Sequence, residues 1–189
     1  MKRIAVILMV IGLVIAFAAM SMAQEKTEAP AKASHKFIGS AKCKICHNSP
    51  AKGEQFKKWT ESKHAKAFEV LATPEAKEVG TKAGVDSPQT SEKCLVCHVT
   101  GFAAPAETKE ATFAQTEGVG CEACHGAGSD YKDMKVMKSK EAAAAAGLVA
   151  NPEKGCVGCH NEKSPTFKGF KFEEMWPKIA HMFPEAKTQ

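Results

Sequence analysis

The stretch CKICHNSPAKGEQFKKWTESKHAKAF, residues 43–68, decides how the chain is read. Two thiols, Cys43 and Cys46, are separated by two residues, an imidazole follows at once at His47, and another, His64, stands further along. From Gly53 to Leu71 the apolar residues Phe56, Trp59, Ala67, Phe68 and Leu71 recur at three- and four-residue intervals, which predicts an amphipathic helix with His64 near its sticky face.

The opening pattern recurs three times, as Cys94, Cys97, His98; Cys121, Cys124, His125; and Cys156, Cys159, His160, and this consumes all eight cysteines. C-x-x-C-H is the attachment sequence of c-type haem: each thiol bonds to a former vinyl group of the porphyrin, and the adjacent histidine becomes the proximal ligand of the iron. Zinc ribbons also use C-x-x-C pairs, but nothing in that chemistry requires a histidine after every second cysteine. Redox-active C-x-x-C motifs need a strand-to-helix context that the sequence lacks, and a disulfide framework does not explain the regular spacing. The expectation is therefore four covalently attached haem c groups.

Lys2 and Arg3 precede an uncharged run from Ile4 to Ala19 and the small-residue sequence ending at Ala23, the pattern of a secretory signal peptide over 1–23 cleaved before Gln24. A retained membrane anchor is the alternative; Ser21 and Ala23 favour cleavage. No later segment reaches membrane-spanning length, so an exported protein of the periplasm or the extracellular space is expected. Without residues 1–23, 24 basic residues face 21 acidic ones and are scattered, which argues against nucleic acid as a partner.

Residues 24–36 are expected to form a flexible arm, and 37–189 a tetrahaem domain. Thr73 followed by Pro74 reads as an N-cap with proline at the first helical position, starting a short helix that Gly80 or Gly84 ends. Ser139 is expected to cap a helix over the alanine run that Gly147 closes, and Pro177 to kink or restart a helix in the tail, whose apolar stripe is Phe172, Met175, Trp176, Ile179 and Phe183. Gly118 and Gly120, leading into the third motif, allow a close backbone approach to something bulky. No strand-length alternation is visible. The fold class is thus mainly α, with short helices and long loops wrapped around a compact cluster of four haems and no significant β-sheet. At about 41 residues per haem, the macrocycles must form the core themselves. Eight propionates and four ferric porphyrins of about +1 each turn the mature chain's small positive charge to about −1.

Four proximal histidines leave His35, His64 and His181 for the far side of four irons. His64 and His181 are the stronger candidates. His35, at the end of the arm, could be solvated, ligate a haem of its own chain, or reach a neighbouring molecule. Met134 and Met137 are the soft alternatives, with Met175 and Met182 behind them; a Met/His iron has a higher potential than a bis-His iron.

The segments FIGSAKCKICH (37–47), SKHAKAF (62–68), CLVCHVTGF (94–102), GVGCEACHGAG (118–128) and CVGCH (156–160), with the tail FKFEEM (170–175) and Ala180–His181, together resemble the tetrahaem cytochrome c-554 family. The resemblance implies a mostly helical fold around stacked haems, three with two histidine ligands and one, usually the second, without a distal protein ligand. It also implies that His64 and His181 are distal ligands. The chain departs from the family after the third motif, where Tyr131, Met134 and Met137 stand in place of a histidine; His35, from its own chain or another, is the candidate replacement.

The leading functional expectation is an electron carrier, not a catalyst, reduced by one redox partner protein and oxidised by another, since no paired-carboxylate or nucleophile constellation stands outside the haem motifs. The alternatives are reduction of a small molecule such as nitric oxide at an open iron of the second motif, and a conducting homo-oligomer resembling extracellular tetrahaem filaments, in which His35 ligates the haem of a neighbouring subunit.

Overall fold

Each of the four Cys-x-x-Cys-His segments forms its own helix of one to two turns. In the computed structural model, which describes residues 35–149, 153–182 and 184, these are α1 (Ser40–His47), α4 (Glu92–His98), α5 (Cys121–His125) and α8 (Glu153–Cys159), with His160 just past the last. The amide of His160 still donates to the carbonyl of Cys156 at 2.8 Å, so its ring keeps helical register with the thiols. On a helix, positions i, i+3 and i+4 share one face, and both sulfurs and the imidazole of each motif thereby point the same way. The expected signal peptide and the arm as far as Ser34 lie outside the described residues.

The other helices are α2 (Gln55–Thr60), α3 (Pro74–Lys82), α6 (Met134–Met137), α7 (Lys140–Ala145) and α9 (Phe172–Met175), with short 3₁₀ turns in several of the connections. Local chemistry sets several of their boundaries. Thr73 caps α3, its hydroxyl accepting from the amide of Ala76 at 3.2 Å with Pro74 at the first position, and α3 ends at Lys82 before Gly84, which adopts φ 68°. Ser139 caps α7 by accepting from the Ala142 amide at 3.1 Å, and Gly147 follows at φ 98°. In the tail α9 gives way at Trp176 to a 3₁₀ turn containing Pro177, as that proline predicts; Phe172 and Trp176 stack at 5.4 Å. Phe183, the last residue of the expected stripe, lies outside the described residues.

One expectation fails. The periodicity of Gly53–Leu71 does not build one helix: α2 stops at Thr60, turns occupy the following residues, and a 3₁₀ turn covers Glu69–Ala72. His64 sits in those turns. Tertiary contacts outweigh propensity here, because the His64 carbonyl accepts the amide of the distant Val119 at 3.0 Å as well as that of Ala67 in a tight turn at 3.1 Å, and the Trp59 indole donates to the Val119 carbonyl at 2.9 Å.

Among the described residues the β-structure amounts to a single parallel bridge between Phe37 and Lys109. The buried hydrophobic residues are Ile38, Leu71, Val85, Leu95, Val99, Tyr131 and Ala143; Leu71, Leu95 and Val99 form one cluster with Phe68, Cys94 and Phe102 packed on it. For a domain of this size that is a thin apolar core. No helix of the described residues is long and apolar enough to cross a membrane.

Candidate functional site

The motif helices are in contact out of sequence order. α1 packs on α5, α5 on α8, and α8 on α4, so the motifs run first, third, fourth, second in space. Their cysteines follow the same order: the Cys43 and Cys121 thiols are close enough to share a hydrogen bond, as are those of Cys97 and Cys159, and Cys124 feels Cys156. None of the eight is in a disulfide. The hydrogen bond to Cys121, with burial second, pushes the Cys43 thiol far up, and the same bond lowers Cys121. Burial raises Cys124, and with Cys97 beside it pushes Cys159 up to about 11. Among the described residues no three His, Cys, Asp or Glu side chains converge as a zinc site requires.

Four of the seven imidazoles are arranged in two pairs. His64 and His160 have ring centroids 6.1 Å apart with planes at 73°, and His125 and His181 lie 6.0 Å apart at 71°. Two imidazoles on opposite sides of one metal, each bonded at about 2 Å, put their ring centres about 6 Å apart. The second nitrogen of several rings is already committed. His98 Nδ1 lies 2.6 Å from the Ala67 carbonyl oxygen, His125 Nδ1 3.3 Å from that of Val149, and His181 Nδ1 2.9 Å from that of Ile179. A carbonyl can only accept, so Nδ1 carries the proton and Nε2 keeps the lone pair that a metal needs. Burial holds His47, His64 and His125 below the usual histidine range, which keeps these rings neutral. Phe170 stacks on His160 at 4.9 Å and 17°, fixing the plane of the most exposed of the motif histidines. These residues fit covalently attached haem: paired thiols and an imidazole on one face of each helix, with neutral, oriented rings opposed at the right spacing.

The other candidates are placed differently. His35 Nδ1 is 2.9 Å from Asp130 Oδ2, and its ring abuts Gly147 so closely that a Cβ there would come within 3.0 Å of Nε2. Lys36 is tied to Ser129, its amide donating to Oγ at 2.8 Å and its carbonyl accepting the Ser129 amide at 3.1 Å. Met134 is exposed and Met137 half-buried on α6. Gly118 and Gly120 do admit a close approach, but to protein: a Cβ on Gly118 would lie 2.8 Å from the His64 carbonyl oxygen, and one on Gly120 would collide with Ser40 Oγ.

Residues that the spacing of motifs did not single out complete the frame. Glu122, inside the third motif, is buried and accepts amides of Ile38, Gly39 and Gly128. Glu117 accepts from the amide and hydroxyl of Ser40, and the Ser40 hydroxyl oxygen accepts from the Cys121 amide at 3.0 Å. The one visible signal was an acidic residue within a haem-attachment motif.

Comparison with known proteins agrees with this geometry. A family model described as "Cytochrome c554 and c-prime" matches residues 42–126, which include the first three motifs. Cytochrome c-554 of Nitrosomonas europaea is 30% identical over 187 residues, an alignment covering 81% of this chain and 77% of that protein. No solved structure matches. With that identity over most of both chains, and with helices that turn every motif's thiols and imidazole to one face, the chain belongs to the cytochrome c-554 family.

Proposed function

We propose that the chain is an exported tetrahaem electron carrier that passes electrons between two redox partner proteins. The observation that carries this reading is the pair of opposed imidazole couples, His64 with His160 and His125 with His181, at 6.1 and 6.0 Å. In this reading Cys43 and Cys46, Cys94 and Cys97, Cys121 and Cys124, and Cys156 and Cys159 hold one haem each, and His47, His98, His125 and His160 are the proximal ligands. His64 is the distal ligand of the fourth haem and His181 of the third. Each bound haem supplies a one-electron ferric/ferrous couple.

The chain's own residues make transfer possible by holding geometry fixed. Backbone carbonyls of Ala67, Val149 and Ile179 orient the rings of His98, His125 and His181, so little rearrangement accompanies a change of iron charge. The contacts of α1 with α5, α5 with α8 and α8 with α4 support a row in which electrons enter at one end, at the first or second motif, and leave at the other.

The test is intact-mass analysis of correctly exported protein together with paramagnetic-resonance counting of its iron. Four haem increments and at least two bis-histidine low-spin centres are expected. A mass equal to the bare polypeptide would overturn the reading.

A further inference from the structure

We propose that Glu122 is a positioning residue of the haem row: it clamps the first attachment helix onto the third and fixes a negative charge between them that lowers the reduction potentials of the first and third haems selectively. The proposal rests on the tetrahaem reading above.

Glu122 is 2% exposed although it is a charged residue type. Its Oε1 accepts the amides of Ile38 at 2.9 Å and Gly128 at 2.6 Å; its Oε2 accepts that of Gly39 at 2.8 Å and that of Ile38 again at 3.1 Å. Every partner is a backbone donor. A glutamine could serve one side of this nest but would turn its own N–H₂ toward an N–H on the other, so the site calls for a group that accepts at both atoms, a carboxylate. Gly39 makes the turn possible at φ 84°, with the Thr112 carbonyl packed where its Cβ would be.

The clamp is at the junction of two haem sites. Ile38 and Gly39 are the residues immediately before α1, while Glu122 is the second residue of α5, next to Cys121. The following residue, Ser40, is wholly buried, gives its amide and hydroxyl to Glu117, and accepts the Cys121 amide. Both carboxylates exert their field on Cys43, and Glu122 also on Tyr131, which burial already pushes up. The acidic residues are thus close to thiols of the first and third motifs, and no cation is among Glu122's hydrogen-bond partners.

The sign follows from charge. Oxidation adds one positive charge to a haem, and a fixed anion in a poorly screened interior favours the more positive state, lowering the midpoint. The effect weakens with distance, so the first and third haems respond and the second and fourth, whose attachment helices make no hydrogen bond to Glu122, respond little.

The experiment is a potentiometric titration of the holoprotein at pH 8 for wild type, Glu122→Gln and Ser40→Ala, each first shown by mass to carry four haems. Glu122→Gln is expected to raise two of the four midpoints and leave two in place. Ser40→Ala, which cuts a neighbouring tie between α1 and α5, the bond from the Cys121 amide, without removing charge, is expected to lower the melting temperature while all four midpoints stay. Four unmoved midpoints in Glu122→Gln, four moving together, or equal shifts in Ser40→Ala would each overturn the proposal. If Glu122→Gln matures with fewer than four haems, Glu117→Gln is read instead: a rise of two midpoints supports the proposal and no rise overturns it. A bare polypeptide mass in wild type would instead sink the tetrahaem reading.

Discussion

His125 closes the third motif and His181 stands in the C-terminal tail, yet their rings face each other at 6.0 Å with planes 71° apart, each with Nδ1 turned to a backbone carbonyl. In the function proposed above the two rings ligate one iron. Replacing His181 with alanine is expected to convert one low-spin centre into a high-spin centre in the paramagnetic-resonance spectrum, with the haem mass unchanged. The same replacement at His64 should convert a different centre, and the double variant two. If the single variants kept their full low-spin count, the pairing would be wrong.

Gly118 has φ 73° and ψ −137°, a combination open almost only to glycine, and a Cβ there would lie 2.8 Å from the His64 carbonyl oxygen and 3.0 Å from that of Ala65. Gly118→Ala must therefore push away the turn that carries His64, at a cost of about 1–3 kcal/mol. Calorimetry should show a lower melting temperature, and the spectrum should gain high-spin signal at the same centre as His64→Ala. A loss of stability with no spectral change would separate the turn from the ligand.

The motif helices and the caps were legible in the sequence because their causes are local. Thiol, thiol and imidazole at i, i+3 and i+4 need only one helical turn, and Thr73 and Ser139 reach amides three residues away. The conformation at His64 was not legible, since apolar spacing over Gly53–Leu71 suits a helix, and the turns that replace it are tied to the distant Val119, whose amide bonds the His64 carbonyl and whose carbonyl takes the Trp59 indole. The roles of Glu117 and Glu122 were equally hidden: acidic residues usually mark solvated faces, and what buries these two is a segment some eighty residues earlier in the chain, brought there by the fold.

The two side-chain caps supply a control. Thr73→Ala and Ser139→Ala each remove one acceptor from a helix amide and should cost about 1 kcal/mol. The caps serve α3 and α7, which carry none of the motifs, so the two losses should add while the spectra and all four midpoints stay as in wild type. Movement of a midpoint in either variant would mean that the haem row is less insulated from the outer helices than the contacts indicate.

Glu117 gives stability a pH dependence with a definite sign. Burial raises its carboxyl above the ordinary value of 4.5, with the nearby Glu122 adding to the rise and the hydrogen bonds from Ser40 opposing it. The folded state therefore holds this proton more tightly than the unfolded one, and between 4.5 and the raised folded value the native chain binds more protons at this site. The contribution is fully present below the unfolded value and is lost as pH rises through the folded one. Glu117→Gln cannot titrate: it carries a constant penalty for the weakened Ser40 contacts but escapes the cost of a buried charge. Measured against wild type across pH 4 to 8, its relative melting temperature should climb with pH and then level off. A difference that stays flat would show that folding leaves proton binding at Glu117 unchanged, and one that falls as pH rises would show that the folded state favours the ionised form; either would contradict the effect of burial.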